Sequence, residues 1–436
     1  MKIMSNAVLV IGGGIAGMQA ALDVANTGHK VVLVEKAPSI GGHMLQFSEV
    51  FPTLDCPQCI GTPKMTEVSA HPNIELMTYS EVESVSGSIG RFNVKIRKKS
   101  RFIDAARCTG CGECAIACPI SVPSEWDLAL GQRKAAYIPF PQAVPAVYTI
   151  DKTACVECRK CEKVCDAAAI NFEAEDEFVE RVIGAIILAT GYEVFDASLK
   201  PELGYGTYPN VITGYELERL DQAGGPTGGK IEVNGKEPQN VVFIQCVGSR
   251  DKSVGVEYCS RVCCMATAKQ AHYVRHKIPG ARVTVCYIDI RAFGKRYEEF
   301  YERVQGEGVI YRRGVVSEVY KRDDKLVVRA EDTLLGEMFE EEADLVVLAA
   351  GIVPGKATVE LAEKLNIPLG PDGFFLENNP KLAAMESGVP GIYLAGCAEG
   401  PKDISDSVVQ AGAAAFMALL AVVGAEGEPD REPVRS

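Results

Sequence analysis

The stretch AVLVIGGGIAGMQAALDVANTGHKVVLVE, residues 7–35, decides the fold of this chain. A strand-like apolar run leads into the glycine turn GGGIAG, then into a helix-like segment and a second strand that ends at Glu35. In such a unit Gly12 permits the tight turn, Gly14 lets the backbone approach a pyrophosphate, and Gly17 lets the helix pack on the strand. The helix N-terminus attracts phosphate charge, and the acidic residue accepts hydrogen bonds from a ribose. The sequence therefore predicts a dinucleotide-binding domain.

Three later segments favour FAD over NAD as the dinucleotide. Gly41 and Gly42 form another turn just after the second strand, ATG at 189–191 follows a strand-like run, and GIYLAG at 391–396 precedes a long helix-like segment. These motifs resemble the flavoproteins with two dinucleotide-binding domains that include thioredoxin reductase. The resemblance implies an α/β fold of that kind, with FAD as the bound cofactor.

The last flavin motif departs from that family at one position. The family ends the motif with an aspartate that holds the ribityl chain, whereas Cys397 stands there in this sequence. Backbone amides at Gly396 and Cys397, or the carboxylate of Asp403, are the predicted substitutes. We interpret Cys397 as a small buried thiol without a redox role. The residues predicted to contact FAD are Gly12, Gly14, Ile15, Ala16, Gly17, Glu35, Lys36, Gly42, His43, Ala189, Thr190, Gly191, Gly396, Cys397 and Asp403.

The second dinucleotide domain of that family carries its own glycine fingerprint, which is missing here. The strand NVVFIQ is present at 240–245, but a cysteine-rich segment follows it. Without the fingerprint, direct oxidation of NAD(P)H is not expected at this position. The simplest use of these cysteines is a third 4Fe-4S cluster, with zinc or structural thiols as the alternatives. The four residues are Cys246, Cys259, Cys263 and Cys264.

Two cysteine runs with the spacing C-x2-C-x2-C-x3-C stand between segments of the flavin domain. This is the ligand pattern of a ferredoxin with two 4Fe-4S clusters, in which the fourth cysteine of each run ligates the other cluster. A pair of zinc knuckles is the alternative. The linker at 121–153 contains the only tryptophan, Trp126, and we expect it to pack the inserted module on the flavin domain, with a docking edge as the alternative. The predicted ligand sets are Cys108, Cys111, Cys114 with Cys165, and Cys155, Cys158, Cys161 with Cys118.

A further pair, Cys56 and Cys59, has three open interpretations. It is a dithiol near the flavin, half of a cluster site completed by another chain or domain, or an unligated structural pair. Of the histidines, His272 and His276 lie four residues apart on a helix-like segment, and we interpret them as a solvated or packing face.

Composition narrows the class of protein. The net charge of -13 disfavours nucleic acid as a partner. The clustered cysteines and an apolar N-terminus that reads as a strand, not a signal peptide, indicate metal ligation in a reducing cytoplasm. The longest apolar run, 411–425, has 15 residues. This is shorter than the roughly 20 that span a bilayer, so we expect a buried helix and no transmembrane segment. The charged tail after it is expected to be disordered.

The combined motifs resemble HdrA, the iron-sulfur flavoprotein of heterodisulfide reductase, over nearly the whole chain. The family implies an FAD-containing iron-sulfur hub that passes electrons among other subunits, and its best-known complexes bifurcate electrons at the flavin. The resemblance implies that the four cysteines after the strand at 240–245 hold a flavin-side cluster. It also suggests that Lys295 places positive charge near the flavin. The segments that carry the resemblance are FPTLDCPQCIGTPKM (51–65), the double ferredoxin, FIQCVGSR (243–250), YCSRVCC (258–264), DIRAFGKRYEEFYERVQ (289–305) and LAGCAEGPKDISDSVVQA (394–411).

The resemblance also implies partners. We expect a complex with proteins like the B and C components of heterodisulfide reductase, or with hydrogenase, formate dehydrogenase or pyridine-nucleotide dehydrogenase modules. Long members of the family carry two further segments that this sequence does not contain, an N-terminal cluster domain and a second ferredoxin module after Val423.

The leading hypothesis is thus a cytoplasmic oxidoreductase component that transfers electrons through FAD and three 4Fe-4S clusters. One alternative is a self-sufficient flavin disulfide reductase that uses Cys56 and Cys59, which with Lys295 are the catalytic candidates. The other is an NAD(P)H oxidoreductase resembling the small subunit of glutamate synthase. The predicted layout is FAD domain 1–100, α+β double-cluster ferredoxin insert 101–172, FAD domain 173–238, degenerate NAD(P)-like domain with the third cluster 239–343, FAD domain 344–424 and disordered tail 425–436.

Overall fold

The computed structural model describes residues 5–233 and 235–427, with side chains up to residue 424. The first strands are β1 (Ala7–Ile11), β2 (Lys30–Glu35), β3 (Ile74–Thr78), β4 (Ser80–Ser88), β5 (Arg91–Lys98), β6 (Ser121–Pro123), β7 (Gln132–Lys134), β8 (Ala136–Tyr137), β9 (Thr149–Ile150), β10 (Glu177–Ile183), β11 (Ala185–Leu188) and β12 (Glu193–Val194). The later strands are β13 (Val211–Thr213), β14 (Asn240–Val247), β15 (Arg282–Tyr287), β16 (Ile310–Arg313), β17 (Val316–Arg322), β18 (Lys325–Asp332), β19 (Glu337–Ala343), β20 (Leu345–Ala350), β21 (Ile352–Val353), β22 (Glu377–Asn379), β23 (Ala383–Ser387) and β24 (Ile392–Leu394). The helices are α1 (Ile15–Ala25), α2 (Pro57–Ala70), α3 (Glu113–Ile116), α4 (Lys160–Lys163), α5 (Gly214–Asp221), α6 (Cys263–Lys277), α7 (Tyr297–Gly306), α8 (Lys356–Leu365) and α9 (Ile404–Gly427).

A seven-stranded sheet in the order β22-β23-β24-β11-β1-β2-β3 forms the core of what we call the flavin unit, together with α1, α2 and α9. Its central strands run parallel. Val8, Leu9 and Val10 are fully buried, as expected for a parallel strand covered on both faces. The predicted strand-turn-helix-strand unit is therefore confirmed, and it places the glycine turn at the carboxyl end of β1.

A five-stranded parallel sheet in the order β13-β20-β14-β15-β16, with α5, α6 and α7, forms the second unit. Its composition corrects the predicted boundaries, which assigned residues 211–213 and 344–350 to the flavin domain. Both β13 and β20 pair within this second sheet instead. The cause is non-local: an apolar run such as LVVLAA predicts a buried parallel strand, but nothing in it specifies which sheet the strand joins.

The segment 101–172, the insert, leaves and re-enters the flavin unit through one antiparallel sheet. Lys98 at the end of β5 pairs with Glu177 at the start of β10, so the flanks of the insert are joined. Inside it, short strands and two single-turn helices surround a small apolar core that includes six of the eight cysteine side chains of the insert. The predicted insertion between flavin segments is thus observed.

Helix α9 is apolar enough to raise the question of a membrane. The stretch Ile404–Gly424 has 21 residues and a mean hydropathy of 1.9, which suffices for a span by length and composition alone. One face of the helix, with Ala411, Ala414 and Ala418 fully buried, packs against α1 in the core of the flavin unit. The opposite face is exposed, with Val409 (74%) and Phe416 (60%) as its most exposed apolar side chains, and 33% of the stretch is buried, so the helix is less buried than the sequence predicts. The predicted disordered tail begins in the last turn of α9, and its residues 428–436 lie outside the described chain.

Candidate FAD site and its neighbouring cysteine clusters

A cavity of about 840 Å³ opens where the flavin unit, the insert and the second unit meet. Its size suits a large cofactor, since ligand sites commonly measure about 300–1,000 Å³. The structure brings most of the predicted FAD-contacting residues into its wall. These are Gly12, Gly14, Ile15, Ala16, Glu35, Lys36, Gly42, His43, Ala189, Thr190, Gly191, Cys397 and Asp403.

The glycine turn leaves the space that a pyrophosphate needs. A Cβ built on Gly14 meets no atom within 4 Å, so the backbone there borders open cavity. Gly12 has φ +108°, and a Cβ on it would lie 2.3 Å from the carbonyl oxygen of Ala189. Gly12 is therefore required for the turn, whereas Gly14 keeps room for the ligand.

Two hydroxyl groups in the wall also fit a bound polar ligand. The Oγ1 atoms of Thr190 and Thr267 are buried and have no hydrogen-bond partner among the described residues. Buried polar atoms without partners are rare in folded proteins because each one costs free energy. The residues present therefore fit FAD, whose ring and ribityl chain carry hydrogen-bonding groups.

Glu35 lies at the end of β2 as the fingerprint predicts. Its Oε2 accepts a hydrogen bond from the backbone N–H of Gly13 at 2.6 Å, and its Oε1 accepts one from Ala37 at 2.7 Å. Burial raises the pKa of this carboxyl. Each carboxylate oxygen retains a further acceptor position, so Glu35 can hold ribose hydroxyls while it fixes the glycine turn.

Two predicted contact residues stand behind the wall. A Cβ on Gly17 would lie 1.8 Å from the carbonyl oxygen of Gly12, so this glycine allows the packing of α1 on the turn. Gly396 has φ +65°, and its Cβ would lie 2.8 Å from Cβ of Ala16. Both glycines shape the site without bordering the cavity.

At the altered flavin motif, the structure supplies a carboxylate from a neighbouring position. Asp403 borders the cavity and accepts a hydrogen bond from the hydroxyl of Tyr297 at 2.6 Å. Cys397 is buried, and its Sγ donates to the carbonyl oxygen of Lys402 at 3.3 Å. Burial raises the pKa of this thiol, which agrees with an unreactive residue.

Lys295, which the family resemblance places near the flavin, stands outside the cavity wall. Its side chain is exposed. The buried cation in the wall is Lys269 on α6, which pairs with Glu218 at 2.7 Å and donates to the carbonyl oxygen of Glu49 at 2.7 Å. Sequence reasoning missed Lys269 because a lysine inside a helix normally predicts a solvated face, and its partner lies on another helix.

Aromatic residues of the wall were also missed. Tyr192 and Tyr215 are joined by a hydrogen bond between their hydroxyl groups, and burial raises the pKa of both. His43 stacks on Tyr192 with ring centroids 4.7 Å apart. In the insert, Trp126 and Phe140 stack at 4.1 Å and border the cavity. The lone tryptophan in the linker was the only sequence signal for this contribution.

The four cysteines of the second unit lie close to one another. Cys246 ends the regular part of β14 with φ +61°, and Cys263 and Cys264 open α6. Burial and the neighbouring thiols raise the pKa of Cys246 to about 12 and that of Cys263 well above its usual value. The thiols therefore lie close enough to influence one another, as the ligands of one metal site must. Cys263 also lines the cavity itself.

Hydrogen bonds fix the loop that follows β14 and carries these thiols. Ser260 donates to Ser249 through its backbone N–H at 3.0 Å, and its hydroxyl accepts from the N–H of Ile352 at 2.9 Å. Arg250, whose charge lies near Cys246, pairs with Asp289 at 2.5 Å. The loop that would bind a pyrophosphate in a nicotinamide domain is thus held in another conformation.

In the insert, the two cysteine runs come together around α3 and α4. Cys114 and Cys161 are buried, whereas Cys111 and Cys158 are exposed. Burial raises the pKa of Cys114 to about 12, with Cys108 and Cys111 as further causes, and the pKa of Cys161 is raised by burial with Cys155 and Cys118 contributing. The proximity of Cys118 to the second run is what the predicted crossed ligand sets require.

The spacing of the thiols bears on the zinc alternatives. A tetrahedral zinc site holds its sulfur atoms about 3.8 Å apart, given Zn–S bonds of about 2.3 Å. Among the described residues, only one group has three or more metal-ligating atoms within 4.8 Å of one another, and that group contains no cysteine. The cysteine thiols are thus spaced more widely than a tetrahedral zinc site requires. A cubane, which inserts iron and sulfide between its ligands, needs the wider spacing.

Cys56 and Cys59 lie apart from these groups. Cys56 caps the N-terminus of α2, and its Sγ is 2.7 Å from that of Cys59. The hydrogen bond to Cys56 raises the pKa of the exposed Cys59 thiol. Both side chains are exposed and neither lines the cavity, so the dithiol does not face the flavin site.

Comparisons with known proteins agree with this site. A family model described as FAD dependent oxidoreductase matches residues 7–57, and one described as 4Fe-4S binding domain matches residues 101–124. The fold is similar to thioredoxin reductase of Lactococcus lactis, with a TM-score of 0.54, 16% identity and coverage of 96% of this chain and 100% of that one. The enzyme of T. acidophilum gives a TM-score of 0.51 at 15% identity, with 97% and 99% coverage.

Sequence relatives extend over almost the whole chain. Three of them are the A components, or HdrA proteins, of heterodisulfide reductases. The chain is 53% identical to the iron-sulfur protein HdrA of CoB–CoM heterodisulfide reductase from Methanocaldococcus jannaschii, over 98% of this chain and 66% of that protein. It is 51% identical to HdrA of the H2:CoB-CoM heterodisulfide,ferredoxin reductase from Methanothermobacter marburgensis, over 98% and 65%. It is 48% identical to HdrA of the ferredoxin:CoB-CoM heterodisulfide reductase from Methanosarcina mazei, over 98% and 54%. The chain thus spans just under two thirds of the length of the first two relatives.

Proposed function

Because the chain belongs to the HdrA family of heterodisulfide reductase components, a family of iron-sulfur flavoproteins, we propose that it is the electron-transferring hub of a multisubunit oxidoreductase. In this role it connects an FAD site to three 4Fe-4S clusters. FAD supplies the exchange between two-electron and one-electron chemistry, and the protein supplies spacing and electrostatics.

The observation that carries the proposal is that Cys263 belongs both to a group of thiols and to the cavity wall. This residue belongs to the group of four thiols in the second unit and also forms part of the cavity wall. A cluster held by Cys246, Cys259, Cys263 and Cys264 would therefore lie directly beside the FAD site. The loop conformation leaves no glycine turn for a nicotinamide cofactor, which favours the hub over an NAD(P)H oxidoreductase.

The insert provides the route to partners in this proposal. Its two predicted clusters lie under a surface where Cys111 and Cys158 are exposed, with apolar neighbours Ile116 (76% exposed) and Val156 (63% exposed). Its linker borders the cavity through Trp126. The exposed Cys56 and Cys59 favour a role in contacts with another domain or protein over a dithiol that reacts with the flavin.

The names of the relatives suggest what the complex acts on. Those names include CoB–CoM heterodisulfide, with H2 or ferredoxin as further reactants. We propose that partner subunits carry out those reactions and that this chain distributes electrons between them. The name of the M. marburgensis protein contains two acceptors, heterodisulfide and ferredoxin. We propose that the complex of this chain also divides electrons between two acceptors.

The test is the cofactor content of anaerobically purified protein and of its Cys263→Ser variant. Three cubanes predict about 12 iron and 12 acid-labile sulfide per FAD. Cys263→Ser should lose about four iron, since one of three cubanes is lost, while FAD and the ferredoxin signals in electron paramagnetic resonance remain. Cys286→Ala is the matched control, because Cys286 is buried in β15 of the same unit and should keep all the iron.

Equal iron contents in the two variants would contradict the third cluster. Catalytic reduction of a small disulfide by the isolated chain, abolished by Cys56→Ser without loss of iron, would favour the disulfide reductase instead.

A further inference from the structure

A group of potential metal ligands lies on the second unit, away from all the cysteines. His272 and His276 project from α6, and Glu307 follows the last residue of α7. Their ligand atoms all lie within 4.8 Å of one another. The sequence interpretation of the two histidines as a packing or solvated face missed the carboxylate, because Glu307 stands 31 residues after His276, just past the end of another helix.

The geometry of the group is that of a three-ligand site. Histidines four residues apart share one face of a helix, and here their ring centroids are 4.2 Å apart. The Nδ1 atom of His272 is 2.8 Å from Oε2 of Glu307. Two ligands of a tetrahedral zinc ion stand about 3.3 Å apart, given bonds of about 2.05 Å, so small side-chain rotations make room for the ion.

Neighbouring charges leave the carboxylate available. Arg275 donates to the backbone carbonyl oxygen of Glu307, not to its side chain. Arg303 lies 3.8 Å from Oε1 and its side chain is 50% exposed, so solvent screens its charge. On the other side, Glu49 is close enough for His272 to influence its pKa, which burial raises. The group is thus bordered by both signs of charge, with the second carboxylate favouring a cation.

We propose that His272, His276 and Glu307 bind a zinc ion. Two imidazoles and one carboxylate form a ligand set that zinc accepts, whereas magnesium and calcium prefer oxygen ligands only. His276 is exposed, so water can occupy the fourth position. His272 and Glu307 are partly buried, with 12% and 23% of their side chains exposed.

The ion would join the C-terminal ends of α6 and α7. Both helices reach the FAD cavity: α6 begins at Cys263, and α7 begins at Tyr297, and both residues line the wall. His272 lies about 13 Å along the helix from Cys263, from a rise of about 1.5 Å per residue. The zinc is therefore separate from the third cluster and fixes the two helices that reach the FAD cavity.

The experiment measures zinc binding by iron-replete, chelator-treated holoprotein. Iron, FAD and zinc are quantified together after equilibration with zinc chloride. We expect one zinc per chain, with iron and FAD unchanged. His276→Ala should weaken binding at least about 100-fold, since loss of an outer-sphere partner alone costs 10–100-fold. Because His276 is exposed, this variant should fold normally.

Two further variants make the test specific. Glu307→Gln keeps an oxygen that can accept from His272 but removes the anionic ligand, so it should also lose zinc. His29→Ala is the control, because His29 lies outside the group, hydrogen-bonded to Thr27, and should bind zinc as the wild type does. An anomalous peak at the zinc edge between the three side chains would locate the ion. No zinc in the wild type, or equal zinc in His276→Ala, would overturn the proposal.

Discussion

At the scale of single residues, we expect that Gly14 is required for binding of the ligand but not for the fold. Its φ is -73°, which any residue can adopt, and a Cβ on it would enter open cavity. Gly14→Ala should therefore leave the fold intact and crowd the pyrophosphate. Overpacking costs about 1–3 kcal/mol, so FAD affinity should fall by about 5- to 150-fold.

Flavin retention after dialysis and titration of the FAD-free protein measure this effect. Gly306→Ala in α7 is the matched control, because its Cβ also meets nothing within 4 Å and it does not border the cavity. Equal FAD affinity in the two variants would show that the pyrophosphate does not lie against Gly14.

Residues were predicted from the sequence when their role depends on nearby positions, and missed when it depends on a distant part of the chain. Glu35 was found because its role follows from its position at the end of β2, a few residues from the turn it fixes. Lys269 was missed because its burial depends on Glu218, which reaches it from α5. Lys295 was expected at the flavin from a family-like segment, but α7 begins two residues later and only Tyr297 points to the cavity.

At the scale of elements, the linker of the insert gives a direct signal for flavin binding. Trp126 is the only tryptophan of the chain, borders the cavity and stacks on Phe140 at 4.1 Å. Flavin absorbs where tryptophan emits, so a flavin bound in this cavity should quench Trp126 by energy transfer. Removal of FAD with the clusters retained should raise the emission several-fold.

The matched variant for this prediction is Trp126→Phe. It keeps an aromatic ring beside Phe140, so FAD content should change little while the fluorescence change disappears. Emission that does not respond to FAD removal would place the flavin far from the linker and contradict the cavity as its site.

Sequence patterns predict the pairing of some strands but not of others. The β1-α1-β2 unit was predictable because its pairing partners are adjacent in sequence. The assignment of β20 failed because its pairing with β14 spans about a hundred residues, and an all-apolar strand fits either parallel sheet. The cysteine spacings were informative despite their distance, since metal ligation restricts residue type far more strongly than packing does.

At the scale of the whole molecule, Arg219 connects the parts that surround the cavity. It stands on α5 of the second unit and only 1% of its side chain is exposed. Its guanidinium donates to Asp127 of the insert at 2.8 Å and to the carbonyl oxygen of Gln46 in the flavin unit at 3.0 Å. One residue thus ties together the three parts on which the FAD site depends.

Arg219→Gln should therefore destabilise the assembly of these parts. Breaking a buried ion pair costs about 3–5 kcal/mol, and because 19% of Asp127 remains exposed we expect the lower end, about 3 kcal/mol. The melting temperature of the holoprotein and the rate of proteolysis at the insert measure the loss. Arg322→Gln is the control, since Arg322 is 48% exposed in its pair with Glu340 and should cost at most about 1 kcal/mol.

A double-variant cycle decides whether the pair itself is responsible. Arg219→Gln with Asp127→Asn leaves no unpaired charge in the interface, so the double variant should be more stable than the sum of the two single losses predicts. Additive losses would mean that Arg219 acts mainly through Gln46 and the flavin unit. If Arg219→Gln instead melts like Arg322→Gln, the insert is held by its apolar contacts around Trp126, and the three parts do not depend on this residue.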